Sequence, residues 1–162
     1  MYIQQSDLFQ GLGKRFLKDV MAITMKESHG KGAILFHEGD PALHAYVLLK
    51  GRVDLILGET GNVVFVASRP GEAFGWSSLI GRDVYSATAE CREPTRLLKM
   101  HRDEFQKVLE QDPASGSIFF RHLAASLGSR LLQSYKQISA SYQVESPPSL
   151  GTGQIRELEA AQ

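Results

Sequence analysis

Two periods of hydrophobicity divide the chain. Leu12, Phe16, Val20 and Ile23 recur three or four residues apart and predict an amphipathic helix over 13–25. From Ala33 the period shortens to that of a strand. Short β-rich runs at 33–36, 45–49, 53–57, 63–67, 84–90 and 96–100 are separated by Glu-Gly-Asp-Pro, Lys-Gly, Glu-Thr-Gly-Asn and Arg-Pro-Gly-Glu turns. Regular short strands with tight turns build a β-roll or jelly-roll barrel. The helical period restarts at 100–109 and stops before Asp112-Pro113, because a residue preceding proline avoids the α region. A second helix is predicted over 118–142, with Phe120, Ala124, Leu127, Leu131, Tyr135, Ile138 and Tyr142 along one stripe. The expected fold is mainly β with flanking helices: a double-stranded β-helix (jelly-roll) β-roll with an N-terminal helix and a long C-terminal helix, one domain over residues 1–143. The segment 144–162 carries Ser-Pro-Pro-Ser and Gly-Thr-Gly with little apolar content, and is expected to be a disordered tail too poor in core residues for a helix-turn-helix.

The segment 71–89 interrupts this pattern with a glycine-punctuated turn, a short helix start and a strand. A turn at Gly71 and Phe74-Gly75 leaves the N–H groups of Gly75, Trp76, Ser77 and Ser78 at a helix N-terminus, where partial positive charge suits a phosphate. Ser86 and Thr88, alternating with Ala87 on the following strand, add hydroxyl donors.

This stretch resembles the phosphate-binding cassette of the cyclic nucleotide-binding domain, the family of the catabolite activator protein and the regulatory subunits of protein kinase A. Upstream, residues 32–53 match the family's first two strands, with Glu38-Gly39-Asp40 and Lys50-Gly51-Arg52-Val53 at the turns. The resemblance extends from Leu8 to Tyr142. It implies a small-molecule-sensing regulatory module that binds a cyclic nucleotide or another small phosphate-containing ligand through Gly75, Trp76, Ser77, Ser78, Arg82, Tyr85, Ser86, Ala87 and Thr88. It also places Arg130 and Ser134, on the long helix, where family members contact the base, and it makes that helix the seam of a homodimer. Two positions depart from the family pattern: Trp76 stands where a glutamate usually holds the ribose, and Tyr85 where an arginine usually pairs with the phosphate. A phenol in place of a guanidinium costs a charged ligand on the order of 1.5 to 3 kcal/mol. Arg82, three residues earlier, is a candidate replacement.

Composition narrows the function classes. A chain of 162 residues with 43% hydrophobic content is long enough for one cored domain. Eighteen basic against eighteen acidic residues give no net field, so direct nucleic-acid binding is not expected. No apolar run approaches a membrane span and no leader pattern opens the chain, which predicts a cytoplasmic protein. Cys91 is the single cysteine and reads as a small hydrophobe in a strand.

No nucleophile–base motif is present, and a non-enzymatic module is expected, with a separate effector protein as a candidate partner. Two alternatives stay open. One is a ligand-free dimerising scaffold or protein-interaction module, in which Trp76 plugs an emptied pocket. The other is a cupin-like metalloenzyme using His37, Glu38 and His44, although a Gly-Asp-Pro turn separates the two histidines and no metal is expected.

Overall fold

The computed structural model describes residues 2–141; the expected tail at 144–162 and Tyr142 lie outside them. Helix α1 (Lys14–Ala22) leads into strand β1 (Thr24–His29). Then follow β2 (Ile34–Phe36), β3 (His44–Lys50), β4 (Val53–Leu57), β5 (Asn62–Ala67), β6 (Ala73–Phe74), β7 (Thr88–Cys91) and β8 (Thr95–His101), and after them α2 (Arg102–Gln111) and α3 (Pro113–Ser141). The strands form two four-stranded sheets, ordered β1-β8-β3-β6 and β2-β7-β4-β5, and every pairing is antiparallel. This is the expected jelly-roll with a helix before it and a long helix after it. No described helix is long and apolar enough to cross a membrane.

The chain divides into two units, Met1–Leu127 and Gly128–Gln162. The first holds both sheets and two apolar cores, which the alternation of β3 separates. Ala45 and Val47 face a core built with Ile3, Phe9, Phe16, Leu17, Phe105 and Phe119 from the helical segments. Tyr46 and Leu48 face the barrel interior with Phe36, Val53, Leu55, Phe74, Tyr85 and Leu97. One strand buries both faces because helices cover one side and the second sheet the other. Among the described residues of the second unit, 128–141 continue α3 and expose Leu131, Leu132, Tyr135 and Ile138.

Three local departures from the sequence expectation have physical causes. The first helix stops at Ala22, and 24–29 pair with β8 as an edge strand. That strand's Lys, Glu and His residues hid its period of two. The stretch 84–90 is strand only from Thr88, because 83–85 bond to the β2–β3 loop instead of to a sheet. Helix α3 opens at Pro113, not at 118: Asp112 accepts the Ser115 N–H at 3.1 Å and the Ser115 hydroxyl at 2.7 Å, so the proline fills a first-turn position where its missing N–H costs nothing.

Candidate functional site

The cassette begins where β6 leaves its sheet. Gly75 adopts φ 72°, the left-handed region, and a Cβ there would stand 3.0 Å from both the His44 carbonyl and the Tyr46 ring. Only glycine fits that approach. A single 3-10 turn, Trp76–Leu79, follows. It is closed by the Ser78 N–H on the Gly75 carbonyl at 3.3 Å, and the Ser78 hydroxyl donates to the same oxygen at 2.9 Å. The amides of Trp76 and Ser77 precede that bond and stand outside the turn's own hydrogen bonds.

The second half of the cassette is zipped to the β2–β3 loop. Gly39 N–H donates to Tyr85 O at 2.9 Å, Tyr85 N–H to Asp40 O at 2.9 Å, and Ala42 N–H to Asp83 O at 2.8 Å. This backbone frame, with the pairing of β7 to β2 and β4 that follows it, sets the alternation of side chains from 85 to 91. Tyr85, Ala87, Ala89 and Cys91 point into the barrel and are buried, while Ser86 is exposed and Thr88 half-exposed on the other face. The Thr88 hydroxyl oxygen accepts the Glu38 N–H at 3.0 Å.

Tyr85 is 4% exposed. Its ring stacks on Phe36 at a centroid distance of 3.7 Å and 14° between planes, and Tyr46 stacks on Phe74 at 5.2 Å and 8°. The Tyr85 hydroxyl donates to His44 O at 2.7 Å and accepts the His44 N–H at 3.0 Å. Burial pushes both phenols above their ordinary range, so both stay neutral. Four aromatic rings, Phe36, Tyr46, Phe74 and Tyr85, thus fill the barrel beneath the cassette.

Trp76 faces away from these rings. Its half-buried indole packs with Leu79 against the core on the helical side. A glutamate at that position would meet apolar side chains rather than a sugar. Arg82 is exposed, and its backbone N–H closes the loop onto Ser77 O at 3.1 Å. Ser77 and Ser78 are buried. Arg130 and Ser134 lie on α3 in the second unit, where the Ser134 hydroxyl donates to the Arg130 carbonyl one turn back at 3.0 Å.

The cassette residues from Gly75 to Thr88 therefore share one loop, but their side chains diverge to three sides. The sequence reading missed Phe36, Tyr46 and Phe74, and it placed His44 in a metal set rather than at the seat of Tyr85. The period of two on β3 and on 85–91 carries the signal, since it puts Tyr46 on the face of Leu48, and Tyr85 on the face of Ala87 and Ala89. For the cupin-type alternative, Glu38 accepts the Gly58 N–H at 2.8 Å, His37 leans on Asp40 at 3.4 Å, and His44 faces His101, so the three candidate ligands are held by separate partners. Cys91 is buried, and burial raises its thiol pKa.

Jelly-roll sheets, a glycine-started cassette and a long C-terminal helix define the class, and comparison with known proteins agrees. The chain belongs to the cyclic nucleotide-binding domain family, whose profile matches residues 26–112. It is similar to the cyclic AMP receptor protein of Thermus thermophilus, at 28% identity over 128 residues, covering 78% of this chain and 57% of that protein. It is similar to a cyclic nucleotide-gated potassium channel of Mesorhizobium japonicum at 29% identity over 112 residues, or 69% of this chain and 30% of the channel. The chain therefore spans well under two thirds of the length of both relatives. Among solved structures, a cyclic nucleotide-binding protein of Geobacter metallireducens superposes with a TM-score of 0.69 at 29% identity, covering 76% of this chain and 91% of that one.

Proposed function

We propose that this chain is a non-enzymatic, cytoplasmic regulatory module in which Tyr85 and its aromatic neighbours occupy the space and partners that a cyclic nucleotide would need, so that it works through protein contacts. The observation that carries this reading is the seat of Tyr85: stacked on Phe36 and bonded to both backbone groups of His44. A buried neutral phenol offers a phosphate no charge, and its hydroxyl is already committed. Placing a nucleotide inside would require unstacking the rings and leaving the His44 amide without its partner. The protein contact we favour is a second copy of the chain, through the apolar stripe of α3. Leu131 and Ile138 are each 51% exposed and, with Tyr135, recur three or four residues apart, so the stripe offers a partner helix apolar area to cover.

A thermal-shift series with cyclic AMP, cyclic GMP and inorganic phosphate tests the reading. A ligand present at a hundred times its dissociation constant adds about 2.7 kcal/mol of stability. Millimolar nucleotide is expected to leave the melting temperature unchanged, and a rise of several degrees with micromolar nucleotide would overturn the reading.

A second reading, sensing of a small phosphate outside the barrel, has one observation in its favour. The Trp76 and Ser77 amides stand outside the turn's bonds, in the same loop as the exposed Arg82. The phosphate arm of the same series separates the two.

A further inference from the structure

His44 is the first residue of β3, and its backbone is the clamp on Tyr85. Its side chain lies on the face that Tyr46 shares, directly across the ladder from His101 on β8. The two imidazoles meet edge to face, with centroids 5.1 Å apart and planes at 87°. Lys99, opposite Tyr46 on the same face, adds a third cationic group, and Met25 and Glu27 of β1 continue that face. The carboxylate available to balance these charges is already shared: Glu27 binds Lys99 at 3.2 Å and His29 at 2.9 Å. From α2, Glu104 acts on His44 at longer range, while the His101 Nδ1 is occupied as the cap of that helix, accepting the Asp103 N–H at 3.2 Å.

From this geometry we infer that the His44–His101 pair is a proton-operated release for Tyr85, so that acidification opens the aromatic-filled end of the barrel. The inference rests on the reading of Tyr85 given above. With both rings neutral, the edge-to-face contact is favourable and the strand end stays in place. Charging both puts two imidazolium groups and an ammonium on one strand pair, against one shared carboxylate and the more distant Glu104 and Asp103. Like charges directly opposite in a ladder repel. The residue free to yield is His44, because it begins its strand after a loop, whereas His101 runs directly from β8 into α2. Movement of the His44 backbone breaks both hydrogen bonds to the Tyr85 hydroxyl together.

The sign follows from the burial of His44, which, with Lys99 and His101, holds its imidazole below the ordinary value of 6.5. The unfolded or opened chain binds the proton more readily, so closure is fully stable above that value and is lost as pH falls below it.

Amide hydrogen exchange on the full chain tests this, with the His44 N–H read against the Val47 N–H in the same strand at about pH 7.5 and about pH 5.5. Wild type is expected to lose His44 protection several-fold, corrected for intrinsic exchange, on acidification, while the Val47 amide keeps its own. His101→Asn keeps a capping oxygen for α2 but removes the second charge, and should lose less protection than wild type on acidification, because burial and Lys99 still act on His44. His44→Gln, whose backbone can still clamp but whose side chain takes no proton, should show the same protection at both pH values. A wild type with unchanged protection, or a His101→Asn chain that opens as wild type does, overturns the switch. Tyr85→Phe is the control on the underlying reading: its residue 44 amide should be unprotected already at about pH 7.5, and protection equal to wild type would show that Tyr85 is not seated as described.

Discussion

The phenol of Tyr85 is held at two points: the Phe36 ring, and the peptide groups on either side of the His44 Cα. Each ties the cassette to a strand of the barrel. Replacing the residue with phenylalanine keeps the stack and deletes the polar contacts, leaving the N–H and C=O of His44 without that partner. Tyr85→Phe is expected to cost about 1–3 kcal/mol in urea denaturation with an unchanged denaturant slope. A loss below about 0.5 kcal/mol would mean that water replaces the hydroxyl at no penalty. The exchange of arginine for tyrosine at this position was legible in the sequence, but the direction of the ring was not, because it depends on bonds between 39–42 and 83–85 that are distant along the chain. Trp76 shows the same limit. Its substitution for glutamate is plain in the sequence, yet only the packed helices show that the indole belongs to their core.

At the scale of elements, turns decide what the cassette rests on. Gly51, between β3 and β4, has φ 104°, and a Cβ there would come within 2.6 Å of the Thr95 hydroxyl and 2.7 Å of Pro94 O. Since Pro94 O belongs to backbone, no side-chain rotation relieves the clash, and the β3–β4 corner must part from the start of β8. Gly51→Ala is expected to destabilise the fold by about 2–4 kcal/mol, read as a lowered midpoint in thermal unfolding. Retention of the wild-type midpoint would show that the corner is loose. Strands bounded by such turns were the part of the fold most readily legible: 53–57 was placed to the residue, because Lys-Gly-Arg and Gly-Glu-Thr-Gly mark both ends. Strand β1 was missed because five of its six residues are polar or half-exposed at an edge, so hydrophobic alternation is weak there. The start of α3 was misplaced because proline was read as a stop, whereas Asp112 turns it into the opening of the next helix.

At the scale of the whole molecule, α3 presents a run of exposed apolar side chains. Leu131, Leu132, Tyr135 and Ile138 are all more than half exposed. In a two-fold pair each inward leucine faces its own copy or a near neighbour, so a carboxylate there loses burial and adds repulsion. Leu131→Glu is expected to convert a dimer into a monomer by light scattering while the circular-dichroism spectrum of the β-roll stays that of wild type. A wild-type chain that is monomeric at high concentration would contradict the pairing. The central claim, that the aromatic seat of Tyr85 stands in for a bound nucleotide, is tested most directly by calorimetric titration of cyclic AMP into wild type and Tyr85→Arg. The account predicts no measurable heat for wild type at micromolar nucleotide, and binding at least about tenfold tighter for Tyr85→Arg, which removes the ring and supplies a guanidinium, a gain of about 1.4 kcal/mol. A submicromolar dissociation constant for the wild-type chain, more than about 8 kcal/mol of binding, would contradict it.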